Sequence, residues 1–87
     1  MQLATVYTAK LMLMRLKAAS LEVCKNAIDK TRDNAVLSAL ATIVSFEMSE
    51  IAPKLAWIQY SKVIEFQKLY NIQLLINERL EQFKGNQ

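Results

Sequence analysis

Two pairs of carboxylates, Glu47 with Glu50 and Glu78 with Glu81, are the first residues whose type and spacing could do chemistry. A three-residue spacing puts each pair on one helix face, where two carboxylates can hold a hard cation or divide acid and base roles. A carboxylate di-metal bundle, however, draws ligands from four helices and uses Glu-x-x-His, and this chain has no His. The pairs therefore read as solvated helix ends. With no His and a single Cys, Cys24, the chain also lacks the Cys/His and Ser/His arrangements of nucleophilic catalysis, nearly every first-row metal site and any internal disulfide. Its one Gly, Gly85, leaves no glycine loop to cradle a phosphate. The expectation is a protein that is not an enzyme and needs no cofactor; the unpaired Cys24 points to a reducing compartment or a buried thiol and reads as a small apolar core residue.

Charge offers the next possibility. The net charge of +3 arises in residues 1–44, where Lys10, Arg15, Lys17, Lys25, Lys30 and Arg32 face Glu22, Asp29 and Asp33; residues 45–87 carry five charges of each sign. The first 21 residues hold no acid, so nucleic acid or an anionic membrane surface is an alternative partner. At 100° per residue the cations scatter: Lys10 and Lys17 coincide, while Arg15 lies more than 100° away. No short recognition helix is visible, and nucleic-acid binding is disfavoured. A secretory signal fits poorly because the charges fall inside and after the early apolar run, and an organelle presequence fits in composition but not in its unbroken continuation past residue 20. The longest uncharged run, Asn34 to Phe46, is thirteen residues, short of the about 20 a spanning helix needs. No transmembrane segment is expected, and the cytoplasm is the expected location.

These residues must be positioned by helices. Residues 1–52 contain neither Gly nor Pro, and good helix formers dominate the 87-residue chain. The first segment is predicted helical over 3–30, with Ala4, Tyr7, Leu11, Met14, Ala18, Leu21 and Ile28 on one face and Leu3, Val6, Leu13, Leu16 and Cys24 widening it. A turn follows at Lys30 to Asn34, where Asp33 or Asn34 can cap the next helix and Asn34 can take the left-handed conformation. The second helix, 34–50, is apolar all round until Glu47, with hydroxyls that bond back to its own carbonyls. Ser49 can cap a third helix over 54–84, whose main stripe is Leu55, Phe66, Leu69, Ile76, Leu80 and Phe83; alternatively helices two and three are one helix kinked at Pro53.

The predicted fold is all-α: a three-helix antiparallel bundle, or a kinked helical hairpin, with two long helices and a short apolar middle one, forming a single domain over 1–87. A chain this small buries only about 60–65% of its unfolded surface, so a second chain would add the missing core. Two helices of nearly 30 residues around a shorter one would also leave apolar ends uncovered. The candidate partner-binding residues are Leu11, Met12 and Met14 at one such end, Leu75 at the other, Val36, Leu40, Ile43 and Val44 on the middle helix, and the aromatic pair Trp57 and Tyr60. The expected function is protein–protein interaction with a helical partner or a second copy, as a homodimer, a chaperone, or an assembly or inhibitor subunit. The alternatives are the basic surface-binding protein described above and a self-assembling structural subunit.

Overall fold

The computed structural model describes the backbone of residues 2–57 and 60–85 and the side chains of 2–54 and 61–85. It is an all-α helical bundle with no strand among the described residues. Four α-helices follow one another, α1 (Leu3–Ala18), α2 (Leu21–Lys30), α3 (Asn34–Ile51) and α4 (Tyr60–Gly85), with a 3-10 helix at Ala52–Trp57 joining the last two. Periodicity predicts three helices, and the difference arises at residues 19 and 20.

There the segment predicted as one helix over 3–30 breaks. Ala19 and Ser20 are both extended, and the Ser20 hydroxyl accepts the Val23 N–H at 3.3 Å, starting α2 with Glu22 in its first turn. Asp33 starts α3 in the same way, its Oδ1 accepting the N–H groups of Ala35 and Val36 at 3.0 and 3.3 Å. Asn34 is the first residue of α3 and takes no left-handed turn; Thr31 ends α2 in an extended conformation.

Helix ends that lack a left-handed cap leave carbonyls exposed, and α4 supplies the missing donors. Lys68 donates from Nζ to the Ala19 carbonyl, at the end of α1. Arg79 donates from Nε and Nη2 to the Thr31 carbonyl, at the end of α2, at 3.2 and 3.1 Å. The same guanidinium lies 4.6 Å from the centroid of the Phe83 ring, a cation–π contact. Positive charge at a helix C-terminus also complements the helix dipole. Two cations on one helix thus tie down both early chain reversals.

α3 is the centre of the bundle, packed on α1 and α4, while α2 packs on α4. The core holds Ala9, Leu13 and Leu16 of α1, Cys24 and Ile28 of α2, Val36, Leu37, Ala39, Leu40, Val44 and Ile51 of α3, and Leu69, Ile72 and Ile76 of α4. Cys24 is fully buried, its thiol donating to the Leu16 carbonyl at 3.1 Å. α4 runs back along α3: Gln73 donates to the Ala41 carbonyl and the Ser45 hydroxyl, and Arg79, further on, reaches Thr31 just before α3 begins. At 26 residues α4 is about 39 Å long, which accounts for most of the 44 Å long dimension of the molecule.

α3 does have a solvent face, contrary to the reading of it as apolar all round. Ser38, Thr42, Ser45 and Ser49 recur at spacings of four, three and four, and all are exposed. Thr42 returns a bond to the Ser38 carbonyl at 3.0 Å and Ser49 to that of Phe46 at 2.7 Å, so Ser49 stays inside α3 and caps nothing. Nor do α3 and α4 form one helix kinked at Pro53: α3 ends at Ile51, and Pro53 sits in the 3-10 helix.

The Arg79 cap accounts for a measurable share of stability. Arg79→Ala removes two charged hydrogen bonds and is expected to cost about 1–2 kcal/mol in urea unfolding. Arg79→Lys, which keeps the charge but not the two-pronged geometry, should lie between the two.

Candidate interaction surface

Periodicity reads α1 as one widened apolar face, whereas the structure buries only the side that carries Ala9, Leu13 and Leu16. Ala9, Leu13 and Leu16 enter the core, whereas the stripe Ala4, Tyr7, Leu11, Met14 and Ala18 faces outward. The fractions exposed are large for such side chains: Leu3 84%, Tyr7 63%, Met14 68% and Leu11 39%. Phe46, on the neighbouring face of α3, is 64% exposed and extends the patch. A groove between the helices is lined by Leu13, Met14, Ile43 and Phe46, with Lys10 and Lys17 on the α1 side and Glu47 and Glu50 on the α3 side. A second hollow, lined by Leu3, Ala4, Val6 and Tyr7, meets the first at Lys10, so the apolar surface runs along the whole length of α1.

The order of charges along this groove follows from the direction of its walls. Lys17 forms an ion pair with Glu47. Ala19 receives Lys68, which stands in the first third of α4 beside the end of α3. α1 and α3 therefore run the same way and finish together. One column of the groove is cationic and the other acidic.

The predicted partner-binding residues divide under this geometry. Leu11 and Met14 are on the exposed face of α1, and Ile43 lines the groove. Met12 is half-buried against the core, its sulfur 4.0 Å from the Thr31 hydroxyl. Val36, Leu40 and Val44 are inside the chain's own core, because α1 and α4 already cover that side of α3; they are not a surface. Leu75 is partly buried and borders a separate hollow with Leu21 and Leu74, between α2 and α4. Trp57 and Tyr60 lie outside the residues whose side chains are described. The uncovered-ends argument loses its basis, since α1 and α2 are 16 and 10 residues rather than one helix of nearly 30.

Leu3, Tyr7 and Phe46 are surface residues that sequence reasoning did not assign to a partner. Tyr7 shares the apolar stripe of Leu11 and Met14, and Phe46 lies in the apolar run of α3. The signal for Phe46 is its position beside the Ser38–Thr42–Ser45–Ser49 face, which on a helical wheel puts it at the rim of the solvent side.

Among the described residues no group of three or more His, Cys, Asp or Glu side chains comes together to hold a metal. One segment, Asn34–Lys54, is long and apolar enough by length and composition to cross a membrane; in the bundle its apolar side faces α1 and α4. Comparison with known family models, with curated proteins and with solved structures finds no match.

Core and groove are separable by mutation. Leu40→Ala should destabilise by about 2–5 kcal/mol at every protein concentration, as a cavity in the chain's own core does. Lys17→Ala, breaking a partly exposed ion pair, should cost about 1 kcal/mol or less, and urea titrations of both variants check the contrast.

Proposed function

We propose that this chain is a small helical interaction protein that acts by burying the outer face of α1 and the adjoining groove against another protein. The observation that carries the reading is the contiguous apolar surface from Leu3 through Tyr7 and Met14 to Phe46. A bundle of this size gains stability by covering such a surface, and hydrophobic burial needs no reactive group. The mode is helix-in-groove docking, with anchors at helical spacing on α1. Met14 adds an adaptable side chain that can settle against partners of different shape. Such a surface suits a chaperone, or an assembly or inhibitor subunit, and the cytoplasm is the compartment consistent with a single buried thiol.

An anionic membrane or nucleic acid is the competing occupant, since α1 is acid-free and Lys10, Lys17 and Arg15 flank its apolar stripe. The α3 wall weighs against it. Glu47 takes up Lys17, and Glu50 adds a second carboxylate to the same groove, so an approaching polyanion meets mixed charge rather than a basic field.

Site-specific photocrosslinking tests the reading. A photoreactive phenylalanine analogue at position 46, in the chain expressed in its own cell, should form protein adducts, and the same group at the exposed position 38 should form few. Adducts to nucleic acid or lipid, or equal yields at the two positions, would contradict the proposal.

A further inference from the structure

The groove between α1 and α3 carries more than an apolar strip, and the positions of its charges identify an occupant. We infer that the occupant is a second copy of this chain, docked about a two-fold axis that passes between Met14 and Phe46 and pairs Lys10 of each copy with Glu50 of the other. The inference rests on the reading of this face as an interface and names its partner.

The argument is one of levels along the two parallel helices. Lys17 and Glu47 are bound to each other and define a common level. Lys10 lies seven residues earlier on α1, about 10 Å back along the axis, and Glu50 three residues later on α3, about 4.5 Å forward. The midpoint of Lys10 and Glu50 is therefore about 3 Å before the common level. Met14 lies about 4.5 Å before that level and Phe46 about 1.5 Å before it, so their midpoint is the same point. A two-fold rotation about an axis there brings Lys10 level with the other copy's Glu50 and, at the same time, Met14 level with the other copy's Phe46. Both lysine and glutamate are exposed, and among the described residues neither belongs to an ion pair within the chain.

Such a surface is self-complementary in the sense an isologous dimer requires. The cationic column of α1 faces the acidic column of the other α3, and thioether meets aromatic ring at the centre, a favourable contact in its own right. A partner of uniform charge would leave one of the two columns facing its own sign.

Light scattering over a concentration series, with charge reversals, tests this directly. The wild-type chain is expected to dimerise, and Phe46→Ser to remain monomeric. Lys10→Glu and Glu50→Lys each place like charges opposite one another twice per dimer, and each should weaken dimerisation about tenfold. Mixing the two single variants restores both pairs in a one-to-one heterodimer, so affinity should return to within about threefold of wild type, as it should in the double variant alone. Both positions are exposed, and far-UV circular dichroism verifies that the bundle is intact. A wild-type chain that is monomeric throughout, or single variants that do not recover on mixing, would overturn the inference. Protein crosslinks at position 46 together with a monomeric chain would sink the second-copy assignment and leave the interface standing; no protein crosslinks and a monomeric chain would remove both.

Discussion

Ser20 ends a periodicity that would otherwise run on, and most of the architecture follows from that interruption. Its hydroxyl takes the Val23 N–H and begins a new helix two residues after α1 stops. The apolar residues before and after the break no longer need to share a face. α1 is free to bury Ala9, Leu13 and Leu16 against α3, while α2 buries Cys24 and Ile28. The Cys24 thiol, bonded to the Leu16 carbonyl, closes the corner from within. What is left over on α1 is a second apolar face that stays exposed among the described residues.

The corner would be costly without α4. A chain with a single Gly, at position 85, has no Gly at either early reversal, Asn34 is taken up as the first residue of α3, and the caps are extended instead. Lys68 and Arg79 reach across to the two exposed carbonyls. These are polar positions on a helix that also supplies Leu69, Ile72 and Ile76 to the core, so α4 serves as both wall and clasp. Gln73 makes a third link, to α3, and its Oε1 is buried without a hydrogen-bond partner among the described residues. A polar group in that state opposes folding, and the two bonds from Nε2 offset part of the cost.

Much of this was legible from residue pattern. The all-α class, the turn near Asp33, the burial of Cys24 and the inward stripe of Leu69, Ile76 and Leu80 all follow from spacing and capping chemistry. The break at Ser20 was not, because one serine among good helix formers looks like an ordinary polar position unless the backbone leaves it extended. The inward face of α1 was not legible either. Tyr7, Leu11 and Met14 make a larger apolar stripe than Ala9, Leu13 and Leu16, yet the smaller one is buried. Periodicity identifies apolar faces and says nothing of which has a partner within the chain. A small residue such as Ala9 favours close helix approach, a clue that hydrophobicity alone passes over.

The central claim is that α1 holds the bundle with one apolar face and offers the other to a second chain. Methionine oxidation in a brief hydroxyl-radical pulse, read by mass spectrometry over a dilution series, bears on both halves at once. The account predicts that in dilute solution Met14 oxidises readily while the half-buried Met12 and Met48 are protected, and that Met14 alone gains protection as concentration rises. Met14 protected in the dilute monomer, or equally reactive at every concentration, would contradict it.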